Sequence, residues 1–329
     1  MRRSNRGWSR SSLLLIVSAI SGCDNVQWGG TQIEIVPPPP SASSISIEPD
    51  QQVYTEYGLP RGSVLFHMQR TEEGSLLFPV AEMSGDTLRT LRRPAGVSPE
   101  AFESRFRETV TPIGAEFRVF RRGAQVGTFV AQRPGPTTAC GLPTVYGNAT
   151  VVAAATDATQ FLAFRAGLEP EVRGEFSPPQ ITGSIRTYAS IVAERLILQN
   201  GLPRPRSWQG AQRDLQPLEV MPGGHPEMVA TYLVGDSLAV GPADPQGYSV
   251  FYLADYQTAR GYNPVYSETH DYRQDGKVAL RLVDHLDWDG EEGQEILLEV
   301  FNRASHGYSL LSSRGSQWER VWEGARCGQ

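Results

Sequence analysis

The stretch VYSETHDYRQDGKVALRLV, Val265 to Val283, decides how the second half of the chain is read. Val265–Tyr272 and Val278–Val283 are runs rich in β-branched and aromatic residues. Asp275-Gly276 between them is a dipeptide favoured in two-residue hairpin turns, where both central positions take positive φ. The pattern therefore predicts two antiparallel neighbours joined by a tight turn. Similar runs surround the pair: Met228–Val234, Tyr248–Ala254, Glu295–Phe301, Gly307–Ser312 and Gln317–Trp322. The last five of these seven runs read as one meander, so the chain beyond Met228 is expected to be antiparallel β.

Working back from this stretch, SIRTYASIVAERLILQNG (Ser184–Gly201) is helical. Ile185, Tyr188, Ala189, Val192, Ala193 and Leu196 recur at i, i+3, i+4, i+7, i+8 and i+11, which makes one apolar face. Gly201 and Pro203 stop it. A second helix is predicted in SPEAFESRFRETV, with Ser98 as N-cap and Pro99 at the first helical position. Around that helix, Ser63–Gln69 and Ser75–Ala81 read as strands separated by Thr71-Glu72-Glu73-Gly74, and a hairpin is read about Gly123. The Pro- and Gly-dense run Arg133–Pro143 is the expected domain boundary. The predicted fold is mostly β (α+β): antiparallel β-sheets with two main helices at about 98–110 and 184–200. It is divided into a small β-rich domain over 45–135 and a larger α+β domain over 140–329.

The first 22 residues read as a signal peptide. Arg2, Arg3, Arg6 and Arg10 precede an apolar core, Leu13–Ile20, that is too short to span a bilayer. The segment ends in Ile20-Ser21-Gly22-Cys23, which resembles the bacterial lipobox. The resemblance implies that Cys23 is lipidated and becomes the first residue of a lipoprotein. Such a chain is held by its lipid to a membrane of the bacterial cell envelope, on the extracytoplasmic side. Residues 23–44, with Pro37–Pro40 and the serines after them, read as a tether. Formal net charge is −6, Lys277 is the only lysine, and loss of the four leader arginines leaves the mature chain more acidic still. Such a surface repels nucleic acid and anionic headgroups, which leaves the lipid as the membrane contact. Of the other cysteines, Cys140 and Cys327 form an even pair, which outside the cytoplasm reads as a disulfide.

Four groups of residues carry candidate chemistry. Gly235-Asp236-Ser237-Leu238 resembles the signature of the GDSL lipases and esterases, and the resemblance implies Ser237 as nucleophile. That family sets its serine near the start of an α/β domain and closes with Asp-x-x-His. Here the pattern after Ser237 is β, Asp-x-x-His does not occur, and Pro264 follows Gly261-Tyr262-Asn263 where the family has Asp. The preferred reading is a strand ending in a Gly-Asp-Ser turn. Val278–Val300, with its Asp-rich segment LVDHLDWDGEEGQEILLEV, resembles a single FG-GAP/VCBS-type repeat. That resemblance implies calcium held by Asp287, Asp289 and Glu295, although His285 stands where the first Asp belongs. One repeat cannot close a propeller, which needs at least ~4 blades, so other strands must complete the sheet.

The remaining two groups are histidines beside carboxylates and a run of tyrosines. His225 with Glu227, and His270 with Glu268 and Asp271, are candidates for a metal or for acid–base work, without HExxH spacing. Tyr248, Tyr252, Tyr256, Tyr262 and Tyr266 are either sheet packing or an exposed ridge that binds a partner protein or sugar. GxSxG, P-loop and GxGxxG motifs are absent from the sequence. The expectation is a lipid-anchored, non-enzymatic binding module that uses these tyrosines on an envelope protein or small ligand. The alternatives are a secreted hydrolase using Ser237 or a His/carboxylate cluster, and a calcium-stabilised structural module.

Overall fold

The computed structural model describes residues 56–328 except 85–86, 173, 179, 221–224, 288–293 and 315–316. The signal peptide, Cys23, the tether and Asp289 lie outside the described residues.

Seven strands open the fold: β1 (Val64–Thr71), β2 (Gly74–Ser84), β3 (Thr87–Thr90), β4 (Glu116–Arg121), β5 (Ala124–Thr137), β6 (Pro143–Val151) and β7 (Gln160–Arg165). Their order is β1-β7-β4-β5-β6-β2-β3, and β1 also pairs with β2, so six antiparallel strands close into a barrel with β3 as an appendage. Closure leaves no free edge among the six. Alternation along β1 sends Phe66 and Met68 inward and Leu65 and His67 outward. Gly147 makes room inside: a Cβ there would stand 2.5 Å from the Phe129 ring. Helix α1 (Pro99–Thr109) is capped by the Ser98 hydroxyl, which accepts from the Ala101 amide at 3.2 Å. It packs Phe102 and Phe106, one turn apart, into the barrel core.

The division expected between 135 and 140 falls inside this barrel. β5 and β6 pair across it, with register shifts at Ala131/Arg133 and Pro134/Thr137. The Pro/Gly-dense segment is therefore an irregular strand pair that helps the sheet curve, not a linker. The change from barrel to open sheets comes after β7.

Two four-stranded meanders follow. The outer sheet has β8 (Gln212–Leu218), β9 (Glu227–Val234), β10 (Tyr248–Gln257) and β11 (Gly261–Asp271). The central sheet has β12 (Val278–Leu286), β13 (Glu295–Asn302), β14 (Ser305–Arg314) and β15 (Gln317–Glu323), with β16 (Cys327–Gly328) added to β14. One face of the central sheet packs Val283, Leu286, Leu297 and Leu310 against Leu65, Phe120, Leu162 and Phe164 on the barrel wall. Its other face packs Leu280, Leu282, Ile296, Leu298 and Val300 against Val229, Phe251 and Leu253 of the outer sheet. Helix α2 (Gly183–Gln199) covers the far side of the outer sheet with Ile185, Ala189, Val192, Ala193 and Leu196. The short α3 (Trp208–Ala211) leads into β8. The layers run barrel, sheet, sheet, helix, a mostly β architecture with antiparallel sheets.

The Asp275-Gly276 reading needs correction. β11 and β12 do not pair; each is the edge of a different sheet, so the expected five-strand meander divides between them. The connection is a corner over residues 272–277. The Asp271 carbonyl accepts from the amides of Gln274 (2.9 Å) and Asp275 (2.8 Å), and Gly276 has φ 70°. Lys277 explains the corner. Its Nζ donates to Asp236 Oδ1 (2.5 Å), Ala239 O (2.7 Å) and Ser237 O (3.3 Å). The Tyr272 hydroxyl donates to the other Asp236 oxygen at 2.6 Å. Burial and this hydrogen bond push the Tyr272 phenol far above its ordinary range, which keeps it a donor. The two charged side chains are only 3% and 1% exposed. A tight hairpin would have left Lys277 in solvent beside its turn.

Removing one partner of a buried ion pair leaves the other uncompensated, at a cost of about 3–5 kcal/mol. Lys277→Met is therefore expected to lower unfolding stability by about that amount in urea titration. A loss below about 1 kcal/mol would show that the pair does not hold the corner.

Candidate functional site: an apolar cleft with a charged floor

Where β2, β3 and the β5–β6 connection face β14, β15 and β16, the barrel and the central sheet part to leave a cleft of about 490 Å³. Phe78, Leu91 and Leu142 form one wall, and His306, Tyr308 and Trp322 the other. Small-molecule sites are commonly concave, mostly apolar and of this size. The Cys140–Cys327 disulfide, Cα to Cα 5.0 Å, lines the cleft and ties the β5–β6 connection to β16. The sequence-predicted pairing is thus present, and it joins the two walls.

The floor is polar because of alternation along β13. Ile296, Leu298 and Val300 face the outer sheet, so Leu297 and Glu299 face the barrel. Nε of Arg281, on β12, donates to Glu299 Oε2 at 2.8 Å, and Nη2 contacts the same oxygen. Nε2 of His306, on β14, lies 3.0 Å from Oε1. His67 comes from the barrel wall, with Nδ1 3.1 Å from the Tyr308 hydroxyl and 3.9 Å from Glu299 Oε1.

Burial alone would raise the Glu299 carboxyl, but the hydrogen bond from His306 and the charge of Arg281 outweigh it and hold the group at about 2. Burial lowers His67 to about 4, against the pull of Glu299. The Tyr308 phenol is pushed well above its usual value, first by burial and then by the Glu299 charge. At neutral pH the floor therefore holds an ionised Glu299 paired with Arg281, a neutral His67 and a protonated Tyr308. An ionised carboxylate only accepts, so Nε2 of His306 carries the proton and donates it.

The residues singled out from sequence lie elsewhere. Ser237 is exposed; its amide donates to Asp236 Oδ1 at 2.7 Å, and its carbonyl accepts from Lys277. The residue built into the structure by this tetrapeptide is Asp236.

The tyrosine ridge also needs correction. Tyr248, Tyr252 and Tyr262 are buried beneath α2, and their hydroxyls donate to the carbonyls of Pro203 (2.6 Å), Ala189 (2.7 Å) and Pro226 (3.0 Å). Tyr256 and Tyr266 are half-buried, and Tyr266 donates to Glu268. Strand parity on β10 puts 248, 250 and 252 on one face, and the helix covers that face.

Glu268 also meets His270 (3.2 Å) and Arg320, which ties β11 to β15. Burial would raise its carboxyl, but those hydrogen bonds and the Arg320 charge bring it to about 2. His225 is exposed, its ring centroid 4.3 Å from that of Tyr256, whereas Glu227 is buried and accepts from the Val220 amide at 3.1 Å. Among the described residues no group of three His, Cys, Asp or Glu is placed to hold a metal.

The start of the acidic loop is engaged in docking. Asp284 Oδ1 accepts from the Arg122 amide at 3.0 Å, and the Gly123 amide donates to the His285 carbonyl at 3.0 Å. The β4–β5 turn of the barrel is thereby seated on β12. Asp287 is half-buried, and Glu295 is buried with the Ser312 hydroxyl 3.4 Å away.

The floor residues His67, Arg281, Glu299, His306 and Tyr308 were not singled out. Two of them left a signal, since His67 and Glu299 are lone polar residues inside otherwise apolar strand runs. Comparison of the chain with family models, with curated proteins and with solved structures finds no match, so the site is read from its geometry.

His67 and His285 are both lowered to about 4, mainly by burial, from an ordinary 6.5. Between pH 6.5 and 4 the unfolded chain binds protons that the folded chain refuses, so stability falls on acidification across that window. Glu299 acts lower: its contribution is complete above 4.5 and is lost as pH falls toward 2. His67→Leu is expected to flatten the dependence of the urea midpoint on pH between 6.5 and 4. An unchanged slope would mean that His67 is protonated in the folded protein.

Proposed function

We propose that this chain is a lipid-anchored, extracytoplasmic binding protein of the bacterial envelope that holds a small, largely apolar ligand in the cleft. One observation carries the reading. The barrel and the central sheet each contribute an apolar wall to a cavity of about 490 Å³, and a disulfide fastens the walls together. A disulfide suits an oxidising compartment, in keeping with the lipobox and the tether. A concave, half-enclosed site suits a small molecule better than a protein surface, and the tyrosines that suggested a protein partner mostly face α2.

The test uses residues 23–329 carrying Cys23→Ser and the neutral, solvatochromic dye Nile red. The dye is expected to bind with a blue-shifted emission. Ala139→Trp, which adds bulk at an exposed position lining the cleft, is expected to weaken binding by about tenfold, or about 1.4 kcal/mol, with little change in melting temperature. Tyr256→Ala is expected to leave dye binding unaltered. Binding that ignores Ala139→Trp, or no binding at all, would remove the cleft from this reading.

A further inference from the structure

We propose that the Cys140–Cys327 disulfide is a redox latch on the cleft. Reduction by a dithiol frees the lip formed by residues 324–328, opens the cleft and releases its ligand, while the layers stay folded. The proposal rests on the reading of the cleft as a ligand site and adds how that site is regulated.

The two cysteines line the cleft from opposite sides, and their lips differ in what else holds them. The barrel lip keeps its own shape. The Thr138 amide donates to the Leu142 carbonyl (2.9 Å), the Gly141 amide to the Thr138 carbonyl (2.8 Å), and the Leu142 amide to the Thr138 hydroxyl (3.1 Å). Leu142 is buried in the barrel core. The opposite lip has no such anchor. β16 is two residues long and pairs with β14 only at Ser305–Gly328 and His306–Cys327. Ala325, Arg326 and Gly328 are exposed, so little apolar burial holds them in place. Breaking the bond therefore loosens one lip and leaves the other.

The layers do not depend on that bond. The barrel closes through its own strand pairing, and Leu65, Phe120, Leu162 and Phe164 still pack on Val283, Leu286, Leu297 and Leu310. The docking of the Arg122 amide on Asp284 lies at the β4–β5 turn, on another part of the barrel.

The bond is within reach of a reductant. Both cysteines are only half-buried, and Ala139, Ala325 and Arg326 beside them are exposed. A thiolate of the dithiol attacks one sulfur, forms a mixed disulfide and expels the other cysteine as thiolate. The second thiol of the reductant then displaces the first cysteine. Two electrons and two protons pass to Cys140 and Cys327, and the dithiol leaves as a disulfide.

The experiment measures Nile red affinity of residues 23–329 carrying Cys23→Ser, before and after native treatment with dithiothreitol. With Cys23 replaced, Cys140 and Cys327 are the only cysteines left, so intact mass after iodoacetamide counts the latch directly. Reduction is expected to expose both thiols and weaken dye binding about tenfold, the effect of losing roughly 55 Å² of apolar contact. Near-ultraviolet circular dichroism is expected to keep its folded signal, and reoxidation to restore affinity. Cys140→Ser with Cys327→Ser is expected to bind as weakly as the reduced protein and to ignore dithiothreitol. A bond that resists dithiothreitol until the protein unfolds would overturn the proposal, as would loss of the folded signal on reduction. Dye binding that responds to Ala139→Trp but is equally tight in both redox states would also overturn it, and would leave the cleft as the ligand site. No dye binding by the oxidised protein would remove both.

Discussion

Strand β13 has no wet face. Glu295 to Phe301 are all buried, with Leu297 against the barrel and Ile296, Leu298 and Val300 against the outer sheet. Antiparallel sheets commonly leave one side to water. A sheet buried on both sides needs two partners with apolar faces, and each partner must then hide what remains of its own apolar surface. The barrel does so by closing around Phe66, Phe117, Phe129 and Phe161. The outer sheet cannot close, so α2 covers it. The order of layers follows from that one strand.

Apolar contact gives these layers cohesion but little direction, because burial of hydrocarbon is indifferent to modest sliding. Direction comes from a few buried polar groups with specific partners. Asp284 receives the barrel's β4–β5 turn through the Arg122 amide, and Arg121 stands 3.3 Å from its other oxygen. Thr231 and Ser249 of the outer sheet donate to the carbonyls of Leu280 (2.8 Å) and Val278 (2.5 Å) on β12. Asp236 holds Lys277 at the corner between the sheets. Each of these groups is costly when buried alone and tolerable only in one alignment, which sets the register between layers.

The elements legible in the sequence are those defined by local chemistry. α1 announces itself through Ser98 and Pro99, and α2 through its apolar stripe and Gly201, because capping and periodicity act within a few residues. The strands are legible for the same reason, but their partners are not. Asp275-Gly276 favours a turn whichever strands lie on either side, and only the pairing of Lys277 with Asp236, 41 residues earlier, shows that this turn joins two sheets. The Pro/Gly-dense run near residue 135 reads as a linker because irregular strand pairing and linkers use the same residues. Tyr248 and Tyr252 read equally well as sheet packing or as an exposed ridge, because strand periodicity does not say which face meets a helix. The site is the least legible feature. His67 and Glu299 each stand out within an apolar run, but they lie far apart in the chain and only the stacking of barrel on sheet brings them together.

The cleft and its polar floor have a common origin. A closed barrel is convex, so a four-stranded sheet can follow its wall only along a strip before the surfaces part. Apolar side chains fill the strip. Where the surfaces diverge beside β14 they leave the cavity, and the Cys140–Cys327 bond spans the gap. Glu299 lies under that point of divergence, deep enough to need Arg281 and shallow enough for His306 to reach it from the cleft side. The pairing that makes a buried carboxylate tolerable therefore also holds an imidazole at the edge of an apolar cavity. A ring held by a hydrogen bond to a buried carboxylate loses little freedom when a ligand docks against it, so the interface that holds the layers together is also what preorganises the site.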